Sequence, residues 1–261
     1  MKVTVVALLL CSALLAAMLI CLEMGRRSGK RRIKKDPDGG DTGTHSIEAA
    51  VYGLLGLLLA FTITGAASRY DHRRDLTVEE TNAISNAYRR LDLLPPDVRE
   101  ILRDRFRNYL DSRIAFYKGI QDYSFALTKL AEQDLLEREI WDRAIASAEQ
   151  SERSGSLSKL LLLPALNTMF EIRTTRTGSL FMHPPVVIYF LLIGLALASS
   201  FLAGYEMSKD PQRNWVFAII FTTILSVSVY IIVDLEFPRY GLITEASFDS
   251  LLVDLRANMN D

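Results

Sequence analysis

Two patterns of apolar and polar positions divide this 261-residue chain. Four uninterrupted apolar runs lie near its ends, Val3 to Leu22, Ala49 to Ala67, Pro184 to Tyr205 and Trp215 to Val233, none containing a charged side chain. Each is close to the ~20 residues a helix needs to cross ~30 Å of hydrocarbon. In lipid the backbone must satisfy its own polar groups, which a helix does within one segment. The pattern predicts an all-α integral membrane protein with four transmembrane helices in a 2+2 arrangement around a central extramembrane helical bundle.

The second run continues without proline as far as Pro95, and Leu76, Ala83, Ile84, Ala87, Tyr88 and Leu91 keep a helical spacing. One long helix is therefore expected, capped by Thr44 or Ser46, with Glu48 in its first turn. Leu93-Leu94-Pro95-Pro96-Asp97 stops it and starts the next, because the residue before a proline avoids the α region while proline suits a first helical turn. Val98, Ile101, Leu102, Phe106, Tyr109, Leu110, Ile114, Tyr117 and Ile120 form the apolar stripe of that second helix. A third helix is expected over roughly Phe125 to Glu152. Ser154-Gly155-Ser156 breaks the chain before a fourth from about Leu157, kinked at Pro164. The resulting division is transmembrane helix 1 at 1–22, a basic loop at 23–46, helix 2 at 47–67 and an extramembrane helical domain at 68–183. Helix 3 at 184–205, a short loop at 206–214, helix 4 at 215–233 and an acidic tail at 234–261 complete it.

Composition changes this picture little: 49% hydrophobic content, mean hydropathy of +0.16 and net charge −1 are averages in which the charged middle dilutes the apolar ends. Charge placement says more. Gly25 to Lys35 carries seven Lys or Arg and no acid, and short loops of this kind are held on the cytoplasmic side. That places the protein in the inner membrane as a multi-pass chain, with the central domain and a tail of six acids from Asp234 onward outside. Arg69, Arg73, Arg74, Arg173 and Arg176 flank the spans on the domain side and pull the other way. The first run exceeds the 7 to 15 residues of a signal-peptide core and has no A-x-A-like exit, so helix 1 is expected to be retained. Cys11 and Cys21 both lie in it on different faces, which offers no disulfide or metal framework.

Candidate chemistry is sparse. His45, His72 and His183 do not pair with Cys, His or carboxylates at the spacings that build zinc or di-iron sites, so neither metal nor cofactor is expected. No nucleophile elbow, P-loop, dinucleotide fingerprint or DNA-reading motif is present, which argues against an enzyme and against nucleic-acid binding. Within the spans the polar atoms are hydroxyls, which serve either helix packing or a pore lining. The second span is the more suggestive. Gly53, Leu57, Ala60, Thr64, Ala67 and Asp71 share one narrow face that runs from small and apolar to charged. Around an oligomer axis such a face gives a hydrophobic constriction, at Phe61, Thr62 and Thr64, with Arg69, Asp71 and Arg73 setting charge selection at its mouth. The alternative is close helix packing at Gly53 and Gly56. Glu79 and Asn82, three apart on one face, are candidates for an ion-pair network, and Asp234 with Arg239 for a capped turn beyond the last span.

Tyr52-Gly-Leu-Leu-Gly-Leu-Leu-Leu-Ala-Phe61, Ala66-Ala-Ser-Arg-Tyr-Asp71, Val78-Glu-Glu-Thr-Asn-Ala83, Tyr88-Arg-Arg-Leu-Asp92 and Leu94-Pro-Pro form one set of blocks. Leu166-Asn167, Arg173-Thr-Thr-Arg176, His183-Pro-Pro185 and Asp234-Leu-Glu-Phe-Pro-Arg-Tyr-Gly-Leu-Ile243 form another. Together, over roughly residues 46 to 255, they resemble the bacterial bestrophin-like membrane proteins. The resemblance implies a relation to bestrophins, pentameric anion channels with four spans and a large cytosolic helical region between the second and third. The chain departs from the animal members in lacking their acidic calcium clasp and, apart from Phe61, their aromatic neck. On this resemblance the chain is expected to be a homo-oligomeric channel or transporter for small ions in the lipid bilayer. The competing reading is a non-conducting, membrane-anchored helical sensor or scaffold that binds a partner through its central domain.

Overall fold

A computed structural model describes residues 2–35, 44–150, 158–210, 214–237, 242–243 and 246–259. Among these residues eight α-helices follow one another: α1 Lys2–Lys35, α2 Thr44–Arg90, α3 Pro96–Gly119, α4 Tyr123–Gln150, α5 Leu163–Ser179, α6 Val186–Glu206, α7 Trp215–Glu236 and α8 Ala246–Asn258. Every regular element among the described residues is helical. Four of them, α1, α2, α6 and α7, are long and apolar enough to cross a membrane. The chain forms two compact units, one from Met1–Tyr70 with His183–Thr244 and one from Asp71–Met182 with Glu245–Asp261. α2 contributes to both.

In the first unit α1 packs along α6 through small residues. A Cβ at Gly25 would stand 1.9 Å from the Phe201 carbonyl oxygen, one at Gly29 2.1 Å from Ser208 Oγ, and one at Gly204 1.8 Å from the Leu22 carbonyl oxygen. Gly25 and Gly29 are four apart, and so are Ala196, Ser200 and Gly204 on α6 and Ser208 in the 3-10 turn that extends it, all buried. Two such stripes let helix backbones meet where lipid supplies no hydrophobic drive. The basic segment Gly25 to Lys35, expected as a loop, is therefore the last third of a helix. Lys and Arg are good helix formers, Arg27 Nε donates to Glu23 Oε1 one turn back at 2.9 Å, and the two glycines that would weaken the helix are the ones α6 needs. Gly53 and Gly56, by contrast, have no atom within 4 Å of an added Cβ. Hydroxyls serve packing here as well. Ser226 Oγ donates to the Cys11 carbonyl at 3.0 Å, joining α7 to α1, while Ser200 and Thr222 bond carbonyls one turn back at 2.9 and 2.8 Å.

The second unit is an antiparallel helical assembly with its own core. Pro95 and Pro96 restart the chain as expected. Pro96 stands in the first turn of α3, and the Arg99 N–H donates to the Pro95 carbonyl at 2.9 Å. α4 begins two residues before the expected start, because Asp122 Oδ1 accepts the Ser124 and Phe125 amides at 3.0 and 3.2 Å. The Ser124 hydroxyl, which donates to the same oxygen at 2.7 Å, is the foremost of the bonds that hold the Asp122 carboxyl below its ordinary range, followed by the Phe125 amide. The expected kink at Pro164 takes another form: a π-wound turn over Ser158–Leu162 precedes α5, and Pro164 sits in its first turn, where a missing N–H leaves no bond unmade. Ile84 of α2, Leu91 in the 3-10 turn that follows it, Leu102, Phe106 and Tyr109 of α3, Ile140 of α4, and Leu166 and Met169 of α5 fill the interior, all without exposed surface.

Gly204→Ala forces the α1 and α6 backbones apart and is expected to cost about 1–3 kcal/mol, while Gly53→Ala, whose methyl meets nothing, is expected to stabilise by about 0.5–1 kcal/mol. Thermal unfolding of both variants in detergent checks the contrast.

Candidate functional site

The face of α2 singled out from the sequence is the face the first unit leaves uncovered. Leu55, Ala66 and the half-buried Leu58, Leu59 and Ile63 pack inward with Leu192, Val229 and Ile232. Gly53, Leu54, Gly56, Leu57, Ala60, Phe61, Thr64 and Ser68 are exposed, Phe61 by 68%. Thr62 lies beside them, but its hydroxyl donates to the Leu58 and Leu59 carbonyls at 2.7 and 3.0 Å, so its polar atom is spent within the helix. The exposed faces of α6 and α7 have a different composition: Val186, Val187, Phe190 and Leu191 on one, Trp215, Val216, Phe217, Ile219, Ile220 and Ile224 on the other.

The three charges expected to act together do not meet. Arg69 Nε donates to Glu236 Oε1 at 2.7 Å, and a terminal guanidinium nitrogen contacts the same oxygen. The Glu236 side chain has no exposed surface, and its Oε2 lies 3.6 Å from His183 Nδ1, whose ring stacks on Phe237 at 4.4 Å. Arg73 is buried and donates to the Ser179 and Met182 carbonyls at 3.3 and 3.2 Å, where the end of α5 presents the negative pole of its dipole. Asp71 is exposed and accepts from Arg74 at 3.2 Å. Asp234 is buried at the end of α7, accepting the Leu242 and Ile243 amides at 2.9 Å each. Arg239, its expected companion, lies outside the described residues.

The ionic network sits one position from where it was sought. Glu79 and Asn82 are exposed; Glu80 has no exposed surface. Arg113 Nε donates to Glu80 Oε1 at 2.6 Å and Arg176 donates to Oε2 at 2.5 Å. Arg113 also donates to Gln133 Oε1 at 2.9 Å and to the Tyr117 hydroxyl at 2.5 Å, and Arg176 to Asp249 Oδ1 at 2.9 Å. The Arg176 guanidinium lies 3.7 Å from the centre of the Tyr117 ring. Burial opposes the charge on Glu80, but the two guanidiniums outweigh it and hold its carboxyl below the ordinary range. Arg173, counted as a membrane-flanking charge, instead pairs with Asp134 at 2.6 Å and Glu137 at 2.9 Å. A signal for this network exists in the sequence. Glu80 falls between Leu76 and Ile84, and Arg113 between Tyr109 and Tyr117, each inside an apolar stripe where a charge demands a partner.

Glu137 opens onto a cleft of about 480 Å³ walled by Trp141, Asn167 and Phe170. Burial pushes its carboxyl up to about 7, against the opposing pull of Arg173 and of the Tyr109 hydroxyl, which donates to Oε1 at 3.2 Å. In the first unit His45, Glu48 and Glu206 bring one ligand-type atom each within 4.8 Å of the others. The expectation that no histidine meets carboxylates at ligand spacing thus fails for His45.

The sequence profile of the Bestrophin-like domain matches residues 12–244. The chain belongs to the Bestrophin-like family. Its fold agrees. The bestrophin-like chain is similar to a tyrosine-to-alanine mutant of a bacterial bestrophin homologue from Klebsiella pneumoniae, at 14% identity and a TM-score of 0.64 over 92% of this chain and 98% of that one. It is equally similar to a tryptophan-to-alanine mutant of the Klebsiella pneumoniae homologue, at 12% identity and a TM-score of 0.65 over 97% and 96%. At such identities the likeness is one of fold. No curated protein sequence matches it. The bestrophin-like protein is thus an all-helical membrane protein with, among the described residues, four helices long and apolar enough to cross a membrane.

Glu80→Gln leaves two buried guanidiniums without their shared carboxylate and is expected to cost about 3–5 kcal/mol, read as a lowered Tm. Glu137 has the opposite character. Because its folded value is raised from 4.5 to about 7, the folded chain keeps a proton that the unfolded chain releases. Its contribution to stability is complete below pH 4.5 and is lost as pH rises through about 7. Glu137→Gln is expected to raise Tm at pH 8 and to lose that advantage near pH 4.5, as a pH series of unfolding curves would reveal.

Proposed function

We propose that this bestrophin-like protein is an oligomeric channel for small ions in the inner membrane, with the exposed face of α2 lining the path. In this reading residues 1–22, 47–67, 184–205 and 215–233 cross the bilayer and 68–183 form the extramembrane domain. One observation carries it. Among the exposed faces of the long apolar helices, those of α6 and α7 present mostly bulky aliphatic and aromatic side chains suited to lipid, whereas α2 interleaves Gly53, Gly56, Ala60, Thr64 and Ser68 with Leu54, Leu57 and Phe61. Lipid rewards bulk, and small residues suit the close approach of other helices or a narrow aqueous path. Family membership and the likeness to the Klebsiella pneumoniae homologues support the same class.

Phe61 is the constriction and Thr64 its hydroxyl neighbour, while Thr62 holds the helix through its backbone bonds. Arg69 is paired with Glu236, Arg73 is committed to backbone carbonyls and Asp71 is paired with Arg74, so the charge preference is read from the flux measurement. The purified full-length protein in liposomes under opposed chloride and potassium gradients is expected to give a selective current absent from empty liposomes. Phe61→Ala is expected to raise flux severalfold; unchanged flux removes α2 from the path. Silence across pH and calcium concentration favours the alternative, a helical scaffold whose second unit binds a partner.

A further inference from the structure

We propose that His45, Glu48 and Glu206 form a binding site for a divalent transition-metal ion, of which zinc is the representative, and that Lys209 gives way as the ion binds. His45 and Glu48 are three apart in the first turns of α2 and so share a face. His45 Nδ1 lies 3.5 Å from Glu48 Oε2, and its Nε2 lies 3.9 Å from Glu206 Oε1 at the last residue of α6. Ligand atoms on one tetrahedral zinc stand about 3.3 Å apart, given Zn–N and Zn–O bonds of ~2.1 Å. One ligand-type atom of each residue lies within 4.8 Å of the others, and side-chain rotation that aims a single ring nitrogen at both carboxylates would complete the set.

The observation that points to an ion is the state of the carboxylates. Glu48 is 5% exposed, and its Oε1 is buried with no hydrogen-bond partner; Glu206 Oε2 is likewise buried and unbonded. A buried carboxylate oxygen without a donor is costly, and a cation that each carboxylate turns to meet with its unbonded oxygen, or holds through both oxygens, removes that cost. Charge already favours one there. The C-terminal end of α6 is the negative pole of its dipole, and the Lys209 ammonium lies 2.9 Å from Glu206 Oε1 and 3.4 Å from His45 Nε2. Lys209 is half-exposed on a flexible stem and can withdraw to water. One imidazole and two carboxylates with a water suit zinc and its neighbours, whereas calcium requires six to eight oxygens and magnesium six. Binding would pin the start of α2 to the end of α6, and it is independent of conduction.

The test uses the full-length, tag-free protein in detergent, stripped with chelator and titrated with zinc chloride alone in a calorimeter, with metal content measured after dialysis. One zinc per chain is expected, with affinity lowered at least about tenfold in Glu48→Gln and in Glu206→Gln, and calcium not retained. Lys209→Met is expected to bind zinc more tightly than the wild type, a gain that a misfolded variant cannot mimic. Equal zinc retention by the wild type and Glu48→Gln, zinc affinity unimproved in Lys209→Met, or retention of calcium at the level of zinc would each overturn the assignment.

Discussion

A carboxylate with no path to water must be met by positive charge in fixed geometry, and in the second unit that demand organises five helices. Glu80 of α2 is held by Arg113 of α3 and Arg176 of α5, and these reach Gln133 of α4 and Asp249 of α8. Desolvating three charges costs several kcal/mol each, and their attraction offsets this only when every donor and acceptor is placed. The network is therefore a test of register. A helix displaced by one turn would leave a guanidinium or the carboxylate buried and alone, which is a larger loss than an imperfect apolar contact. The apolar core around Phe106, Leu102 and Ile84 supplies attraction without direction; the network supplies the direction.

The first unit meets a different constraint. Apolar burial cannot favour one helix contact over another in hydrocarbon, so shape and hydrogen bonding decide. Gly25, Gly29 and Gly204 let α1 lie against α6 with backbone nearly touching backbone, and Ser226 adds a bond from α7. Where charge does enter this unit it is paired: Glu236 is enclosed with Arg69 and faces His183. Rigid packing of α1, α6 and α7 leaves α2 presenting its small-residue face outward, and any ion path built on that face inherits its shape from this packing.

Much of this was legible in the sequence. The four spans follow from length and hydropathy, the long α2 from a proline-free periodic stretch, and the restart at Pro95 and Pro96 from the conformational demands of proline itself. The helical continuation of α1 was not, because a run of Lys and Arg reads as a cytoplasmic loop by its charge while its helix propensity is high. The spacing of Glu79 and Asn82 was equally uninformative, since neighbours on a helix surface need not face the core. Glu80 was the informative position, a charge standing inside an apolar stripe. His45 and Glu48 illustrate the remaining limit: their spacing is visible in the chain, but Glu206 reaches them only through the packing of α2 against α6.

Gly53 and Gly56 bear on why α2 is composed as it is. A glycine inside a helix costs roughly 0.5–1 kcal/mol relative to alanine, and within a single chain neither position recovers that cost, since an alanine methyl would meet nothing at either one. Gly25, Gly29 and Gly204 recover it through contacts that a methyl would block. The same residue type thus serves an evident purpose at Gly25, Gly29 and Gly204 and none that one copy can supply at Gly53 and Gly56, or at Gly194 of α6. Small residues set between Leu54, Leu57 and Phe61, in a solvent that rewards bulk, leave notches on α2 of the kind that suit the close approach of another helix.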